Sequence, residues 1–148
     1  MAKRRVECAK YHCTDPPFMG GLCRRHHEED EAKERRRNTA LALLDSGRLD
    51  NEPLGAGPLR EEFYKLQDWW RQVCVYITSS REHPVLRDET RYADSWCIGL
   101  AEFIIDEERG RRAGTKVDVP SHQYLRKQLW ERFDNLERGL RSNGVERP

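Results

Sequence analysis

The chain has 148 residues and a formal net charge of +1, and 36% of its residues are hydrophobic while another 36% are charged. This length fits one domain, or one domain with a small appendage. Because 27 basic residues are balanced by 26 acidic ones, any surface that binds nucleic acid must be local. The basic N-terminus has no apolar run behind it, and no window approaches the roughly 18 apolar residues that span a bilayer. We therefore expect a cytoplasmic protein that makes no membrane contact.

The first feature along the chain is a cluster of possible metal ligands, with three of the five cysteines and three of the five histidines in the first 27 residues. Clustered thiols in a reducing cytosol are more often metal ligands than disulfides. Three thiolates and one imidazole form the closed tetrahedral shell of a structural zinc site. The predicted ligands of one structural zinc ion are Cys8, Cys13, Cys23 and His26. Pro and Gly residues between Cys13 and Cys23 favour a turn that folds the chain back.

Neighbouring histidines compete as the fourth ligand. A helical pattern begins just before Cys23, and residues three apart share a helix face, which favours His26. His27 lies four residues from Cys23, so spacing alone does not exclude it. His12 is a weaker candidate, because it would have to displace its neighbour Cys13.

The C-x4-C spacing and the GLC-x-x-H ending of this cluster resemble the small treble-clef-like zinc knuckle of bacteriophage and mobile-element proteins. The resemblance covers about residues 6–27. It implies the same four ligands and work associated with nucleic acid. Some proteins with this knuckle are HNH homing endonucleases, but that activity does not carry over. An HNH site needs clustered histidines and an asparagine outside the knuckle, and only His83 and His122 remain there, far apart.

The helix that leaves the cluster runs without Gly or Pro to Asp45, and its first half is charged on almost all sides. Acidic residues placed four positions before basic ones stabilise such a helix at its surface. Apolar residues gather only near its end, so we expect a solvated stalk that docks mainly through Leu41 and Leu44. The predicted domains are residues 1–37, the knuckle and stalk, and residues 38–148, a helical bundle.

The clearest amphipathic pattern begins at Pro58, which suits the first turn of a helix. Apolar residues then recur at alternating spacings of four and three, at Leu59, Phe63, Leu66, Trp70, Val73 and Ile77. This seam predicts that Trp70 lies in the core. Trp69 and Tyr76 widen the stripe, either as further core or as a surface for self-association or partner binding.

Two more helices complete the prediction, one over about residues 88–109 and one over about residues 120–142, each with an apolar stripe at helical spacing. Cys74 and Cys97 fall on apolar faces and are predicted to be buried. No stretch alternates apolar and polar residues over the length of a strand, so we expect any strands to belong to the knuckle. The predicted fold class is mostly α, with an N-terminal treble-clef-like zinc knuckle followed by a bundle of three to four helices.

Basic residues around the knuckle are the predicted contacts to nucleic acid. Residues 1–37 hold ten Lys and Arg against seven Asp and Glu. Phosphate contacts require such cations on one surface, whereas the acidic run at residues 28–31 would repel phosphate. The candidates are Lys3, Arg4, Arg5, Arg24, Arg25, Arg35, Arg36 and Arg37. A second basic segment, residues 109–116, is interpreted either as an exposed flexible connector or as a contact to phosphate or an acidic partner.

The sequence contains no constellation of Ser, His and Asp and no phosphate-binding loop, so we expect no enzymatic activity. The resulting hypothesis is a zinc-binding regulatory protein of phage or mobile-element type that binds nucleic acid, or the transcription machinery that holds nucleic acid. The knuckle and the basic N-terminal region favour it. The near-zero net charge favours the alternative, an inhibitor or adaptor that uses a face of the bundle to bind a host protein.

Overall fold

The computed structural model describes residues 7–10, 13–115 and 120–148. The elements in chain order are α1 Arg24–Ser46, β1 Arg48–Leu49, β2 Glu52–Pro53, α2 Pro58–Ser79, α3 Pro84–Glu89, α4 Ala93–Arg112 and α5 Pro120–Ser142. The described chain is mostly helical, with a cysteine cluster near its N-terminus, which confirms the predicted fold class. None of the described helices combines the length and the apolar character that crossing a membrane requires.

The chain divides into two compact units, Met1–Asn38 and Thr39–Pro148. We call them the head and the body. In the head, every residue from 31 to 38 of α1 is exposed, as a helix surrounded by charged side chains requires. In the body, the end of the same helix is apolar, and Ala40, Leu43 and Leu44 are buried.

The body packs around one aromatic cluster. Phe133 of α5 is fully buried, and its ring centroid lies 4.8 Å from that of Trp69, 5.6 Å from that of Trp96 and 5.9 Å from that of Trp130. Large aromatic rings bury more apolar area than other side chains and favour tilted or edge contacts at these distances. Three helices are therefore joined at Phe133, since the tryptophans belong to α2, α4 and α5.

The predicted seam of α2 is confirmed at Phe63, Leu66 and Val73, which are buried, but it is wrong at its C-terminal end. Trp69 and Tyr76 are each only 3% exposed, whereas Trp70 is half-buried and Ile77 is 48% exposed. Trp70 instead donates its indole N–H to Asp45 Oδ1 at 3.0 Å. The heptad pattern assumes a single partner helix, but α2 packs against α4 and also meets α5 through Trp69. The second contact turns the buried face of α2 toward Trp69 and Tyr76.

The third predicted helix is interrupted, and one cysteine is misplaced. Residues 90–92 separate α3 from α4, where the Thr90 hydroxyl donates to the carbonyl oxygen of Leu86 and closes the last turn of α3. Cys97 is buried as predicted, but Cys74 is exposed. Cys74 follows the buried Val73 by one residue, which turns it about 100° around the helix and away from the core.

The expectation that strands occur only in the knuckle is also wrong. Two strands of two residues each, β1 and β2, form an antiparallel hairpin in which Arg48 lies opposite Pro53 and Leu49 opposite Glu52. Its turn residues, Asp50 and Asn51, both have positive φ angles, 53° and 65°. Asp and Asn tolerate this backbone better than most residues, and two-residue hairpin turns require it.

The basic segment at residues 109–116 is not an exposed connector in its first half, because residues 109–112 form the last turn of α4. The buried Glu108 accepts hydrogen bonds from Arg111 Nε at 3.1 Å, from Arg112 Nε at 3.0 Å and from the N–H of Gly55 at 3.4 Å. Arg112 also donates to the carbonyl oxygen of Leu49 at 3.4 Å. These contacts attach the hairpin and the loop after it to α4.

Candidate metal centre

A tight turn brings the second half of the cysteine cluster back to the first. Gly20 and Gly21 have φ angles of 59° and 77°, a left-handed backbone that glycine adopts without steric cost. The flanking Met19 and Leu22 form an antiparallel bridge, with N–H to oxygen distances of 3.1 and 3.0 Å. Two positive φ angles in a two-residue turn are typical of tight hairpins. The turn therefore places Cys23 directly before α1, and the Cys23 side chain faces the cluster.

Backbone hydrogen bonds fix the first two cysteines. The N–H of Cys8 donates to the carbonyl oxygen of Asp15 at 2.8 Å, and the N–H of Ala9 donates to that of Gly21 at 2.7 Å. The N–H of Cys13 donates to the carbonyl oxygen of Lys10 at 3.1 Å. The loop between the first two cysteines is thus closed by main-chain groups, and its side chains need not form an apolar core.

The side chains of Cys8, Cys13, Cys23 and His26 place one ligand atom each within 4.8 Å of all the others. His26 Nδ1 lies 3.1 Å from Cys8 Sγ and 3.3 Å from Cys23 Sγ, and the Sγ atoms of Cys13 and Cys23 are 4.0 Å apart. A tetrahedral zinc shell has edges of about 3.5 Å between sulfur and nitrogen and about 3.8 Å between two sulfurs. The four side chains therefore lie close enough together to hold one metal ion.

The first turn of α1 decides between the competing histidines. Cys23 precedes α1 directly, and His26 follows three residues later, so the two side chains meet on one face, with the His26 N–H 3.5 Å from Cys23 Sγ. His27 points elsewhere: its Nε2 lies 3.0 Å from Glu31 Oε1. The cluster therefore includes His26 and not His27. His12 lies outside the described residues.

The environment of the cysteines suits a cation. Burial alone would raise the pKa of Cys8, but hydrogen bonds from the backbone at Cys23 and Lys10 and from neighbouring side chains lower it to about 6. A backbone hydrogen bond at Asp15 lowers the pKa of Cys13, but burial and the two other thiols outweigh it and raise that pKa above its usual value. Thiolates held this close repel one another, and a bound metal ion removes that repulsion.

The predicted nucleic-acid contacts are spread along the head. Lys3, Arg4 and Arg5 lie outside the described residues, whereas Arg24, Arg25, Arg35, Arg36 and Arg37 are all exposed on α1. Arg25 lies 4.0 Å from Asp15, and Arg35 lies 3.8 Å from Glu31. Eleven residues of helix separate Arg24 from Arg35, about 16 Å along the axis. The described basic residues therefore form two groups rather than one continuous cationic surface.

Sequence reasoning missed the two apolar residues at the tip of the turn. Phe18 is 50% exposed and Met19 is 55% exposed. The guanidinium carbon of Arg24 lies 4.7 Å from the centroid of the Phe18 ring, within the range of a cation–π contact. The sequence indicated this exposure, since an aromatic residue and a methionine that directly precede a Gly-Gly turn lie at the tip of that turn and not in a core.

Comparisons with known proteins identify no relative. No protein-family model matches the chain, and neither a characterised protein nor a solved structure matches it. The residues of the head itself are therefore the basis for a functional proposal.

Proposed function

We propose that the protein is a non-enzymatic, zinc-binding regulatory protein whose head binds nucleic acid, or machinery that holds nucleic acid. The observation that carries the proposal is the group of three thiols and one imidazole within 4.8 Å of one another. Zinc is the metal that such a tetrahedral set of sulfur and nitrogen ligands favours. Four protein ligands leave no position for water or substrate, so the ion is structural. The phage or mobile-element origin rests on the knuckle spacing alone.

The basic residues beside the metal group support nucleic acid as the target. Arg24 and Arg25 occupy the first turn of α1 next to Cys23, and both are exposed. The described part of the head carries seven Lys and Arg against seven Asp and Glu, while residues 1–6 add three further cations. A moderate excess of this kind supplies a few phosphate contacts and gives a shallow dependence of affinity on salt.

A salt series tests the proposal. Zinc-loaded protein should bind a labelled oligonucleotide, and the affinity should fall as salt rises, because released counterions drive phosphate binding. Arg24→Ala and Arg25→Ala should weaken binding, and Cys23→Ser should abolish it by removing the zinc. Lys33→Ala is the matched control, since Lys33 is exposed on the same helix but lies about 180° around it from Arg24. Salt-independent binding, or none in low salt, contradicts direct binding of the head to nucleic acid.

The charge balance of the head favours a second candidate, a protein-interaction module that uses a face of the body. Tyr92 is 59% exposed on this unit, with the guanidinium carbon of Arg91 5.6 Å from its ring centroid. Aromatic and arginine side chains are enriched where proteins bind one another. A fragment that starts near residue 38 separates the candidates. An adaptor should retain its partner in this fragment, whereas a nucleic-acid-binding protein should lose its affinity for oligonucleotides.

A further inference from the structure

The tip of the knuckle turn displays an aromatic ring in a fixed position. Phe18 directly precedes the bridge between Met19 and Leu22, and its N–H donates to the carbonyl oxygen of Leu22 at 2.6 Å. The backbone that carries the ring therefore belongs to the hydrogen-bonded turn, yet the side chain remains 50% exposed. The ring is therefore accessible from solvent while hydrogen bonds hold the backbone that carries it.

One cationic and one aromatic side chain contact this ring. Arg24 lies over its face, with the guanidinium carbon 4.7 Å from the centroid, and the His27 ring meets it edge-on at 5.8 Å between centroids. His27 is itself held by Glu31 at 3.0 Å. Arg24 forms no ion pair with a carboxylate of the described residues. The exposed part of Phe18 is thus presented beside a guanidinium group that can still bind an anion.

We propose that Phe18 is a stacking platform for one unpaired base of a single-stranded nucleic acid, and that Arg24 contacts a phosphate next to that base. The inference rests on the proposed function and specifies its ligand class. Every base has a π face that stacks on an aromatic side chain, and neighbouring arginines supply both cation–π and phosphate contacts. A planar base with an adjoining negative charge matches the combination of Phe18 and Arg24.

Single strands fit this surface better than a duplex. Bases of a duplex are already stacked, so a ring at a turn tip cannot reach their faces without unstacking them. A second way to bind duplex DNA would place α1 in the major groove, between the two phosphate backbones. Glu28, Glu29 and Glu34 are exposed at different angles around α1, and the phosphates on either side of the groove would repel them.

Fluorescence anisotropy with labelled oligo-dT and oligo-rU, and with a duplex of equal length, tests the platform. All proteins are zinc-loaded, and their zinc content is checked. Phe18→Ala should weaken single-strand binding on the order of 10-fold, within the range found for one stacked base. Phe18→Leu should cause a similar loss, because it keeps the apolar bulk without the π face, whereas Phe18→Trp should retain affinity. Met19→Ala is the matched control, because Met19 is 55% exposed and carries no ring, and it should change affinity by less than about twofold.

The salt dependence separates the two roles. Phe18→Ala should leave the slope of log affinity against log salt unchanged, while Arg24→Ala should reduce it by about one phosphate contact. If wild-type protein binds single strands and Phe18→Ala and Phe18→Leu bind equally well, the platform is wrong and the proposed function stands. Tighter binding to the duplex also overturns the platform. If wild-type protein binds no nucleic acid in low salt, the platform is wrong and so is direct binding of the head to nucleic acid.

Discussion

The head and the body differ in the kind of side chain that each of them buries. Among the described residues of the head, only Cys8 and Cys23 are buried, and both belong to the metal group. The body instead holds all of the buried apolar core, including Phe63, Leu66 and Phe133. A unit of fewer than about 40 residues rarely buries enough apolar area to fold alone. The comparison indicates that the described head has candidate metal ligands where the body has an apolar core.

The largest expected effect is the unfolding of the head when the metal is removed, because binding of structural zinc contributes on the order of 10 kcal/mol to folding. Thiol titration of the native protein measures it. Metal-loaded protein should expose one reactive thiol, Cys74, and a chelator should release the three ligand thiols. The fifth thiol, Cys97, should react only after the body unfolds, because it is fully buried and burial raises its pKa.

Cys74→Ser controls that experiment, since its metal-loaded form should show no reactive thiol. Simultaneous release of Cys97 and the ligand thiols by a chelator would show that head and body unfold together. A fragment that starts near residue 38 should accordingly stay helical and melt cooperatively without zinc, as followed by circular dichroism.

Within the body, the next largest effect should distinguish two adjacent tryptophans. Trp69→Ala removes a side chain that is 3% exposed and packs on Phe133, and it should lower the free energy of unfolding by about 3–5 kcal/mol. Trp70→Ala removes a half-buried ring and its hydrogen bond to Asp45, and should cost about 1–2 kcal/mol. Urea unfolding of both variants with zinc bound measures the difference. Equal losses would restore the seam that places Trp70 in the core.

Local patterns allowed the metal group and most helices to be predicted. Cys23 and His26 are three residues apart on one helix, so their proximity follows from spacing alone. The greater burial of Trp69 than of Trp70 could not be predicted, because Trp69 packs on Phe133, which lies about sixty residues further along the chain. The hairpin was missed because two-residue strands carry no period, although Asp50 and Asn51 are typical turn residues.

The role of the basic segment after Arg109 could have been found in the sequence. Glu108 precedes Arg111 and Arg112 by three and four residues, and acid–base pairs at these spacings meet on a helix. The burial of Glu108 could not be predicted from the sequence, because it depends on the packing of the hairpin and the loop after it against α4. A charged run was therefore interpreted as solvated although part of it stabilises the fold.

A smaller effect should follow from breaking this buried pair. Glu108→Gln should destabilise the body by about 1–3 kcal/mol, because Arg111 and Arg112 lose a buried charged acceptor. Hydrogen bonds from Arg111 lower the pKa of Glu108 below its unfolded value of about 4.3. The stabilisation is therefore present above about pH 4.3 and is lost as the pH falls through the folded pKa. Urea unfolding at pH 7 and near pH 3 should show a difference between wild type and variant only at pH 7.

The same measurement on Asp68→Asn is the control. Asp68 is an exposed carboxylate of the body that lies 3.9 Å from Arg147, and an exposed pair contributes little. A variant of Glu108 that is as stable as wild type at pH 7 would mean that the hairpin is held by its own turn and by Arg60, which donates to the carbonyl oxygen of Leu54 at 3.0 Å.

The smallest expected effect lies in the head, at His27. His27→Ala removes a surface contact with the exposed Glu31 and an edge contact with Phe18, and should change zinc affinity by less than about fivefold, since surface pairs contribute up to about 1 kcal/mol. His26→Ala removes a ligand and should weaken zinc binding at least about 10-fold. Competition with a chromogenic chelator measures both affinities. The reverse ranking would move the fourth ligand to His27 and require a different first turn of α1, because the two side chains point about 100° apart around the helix.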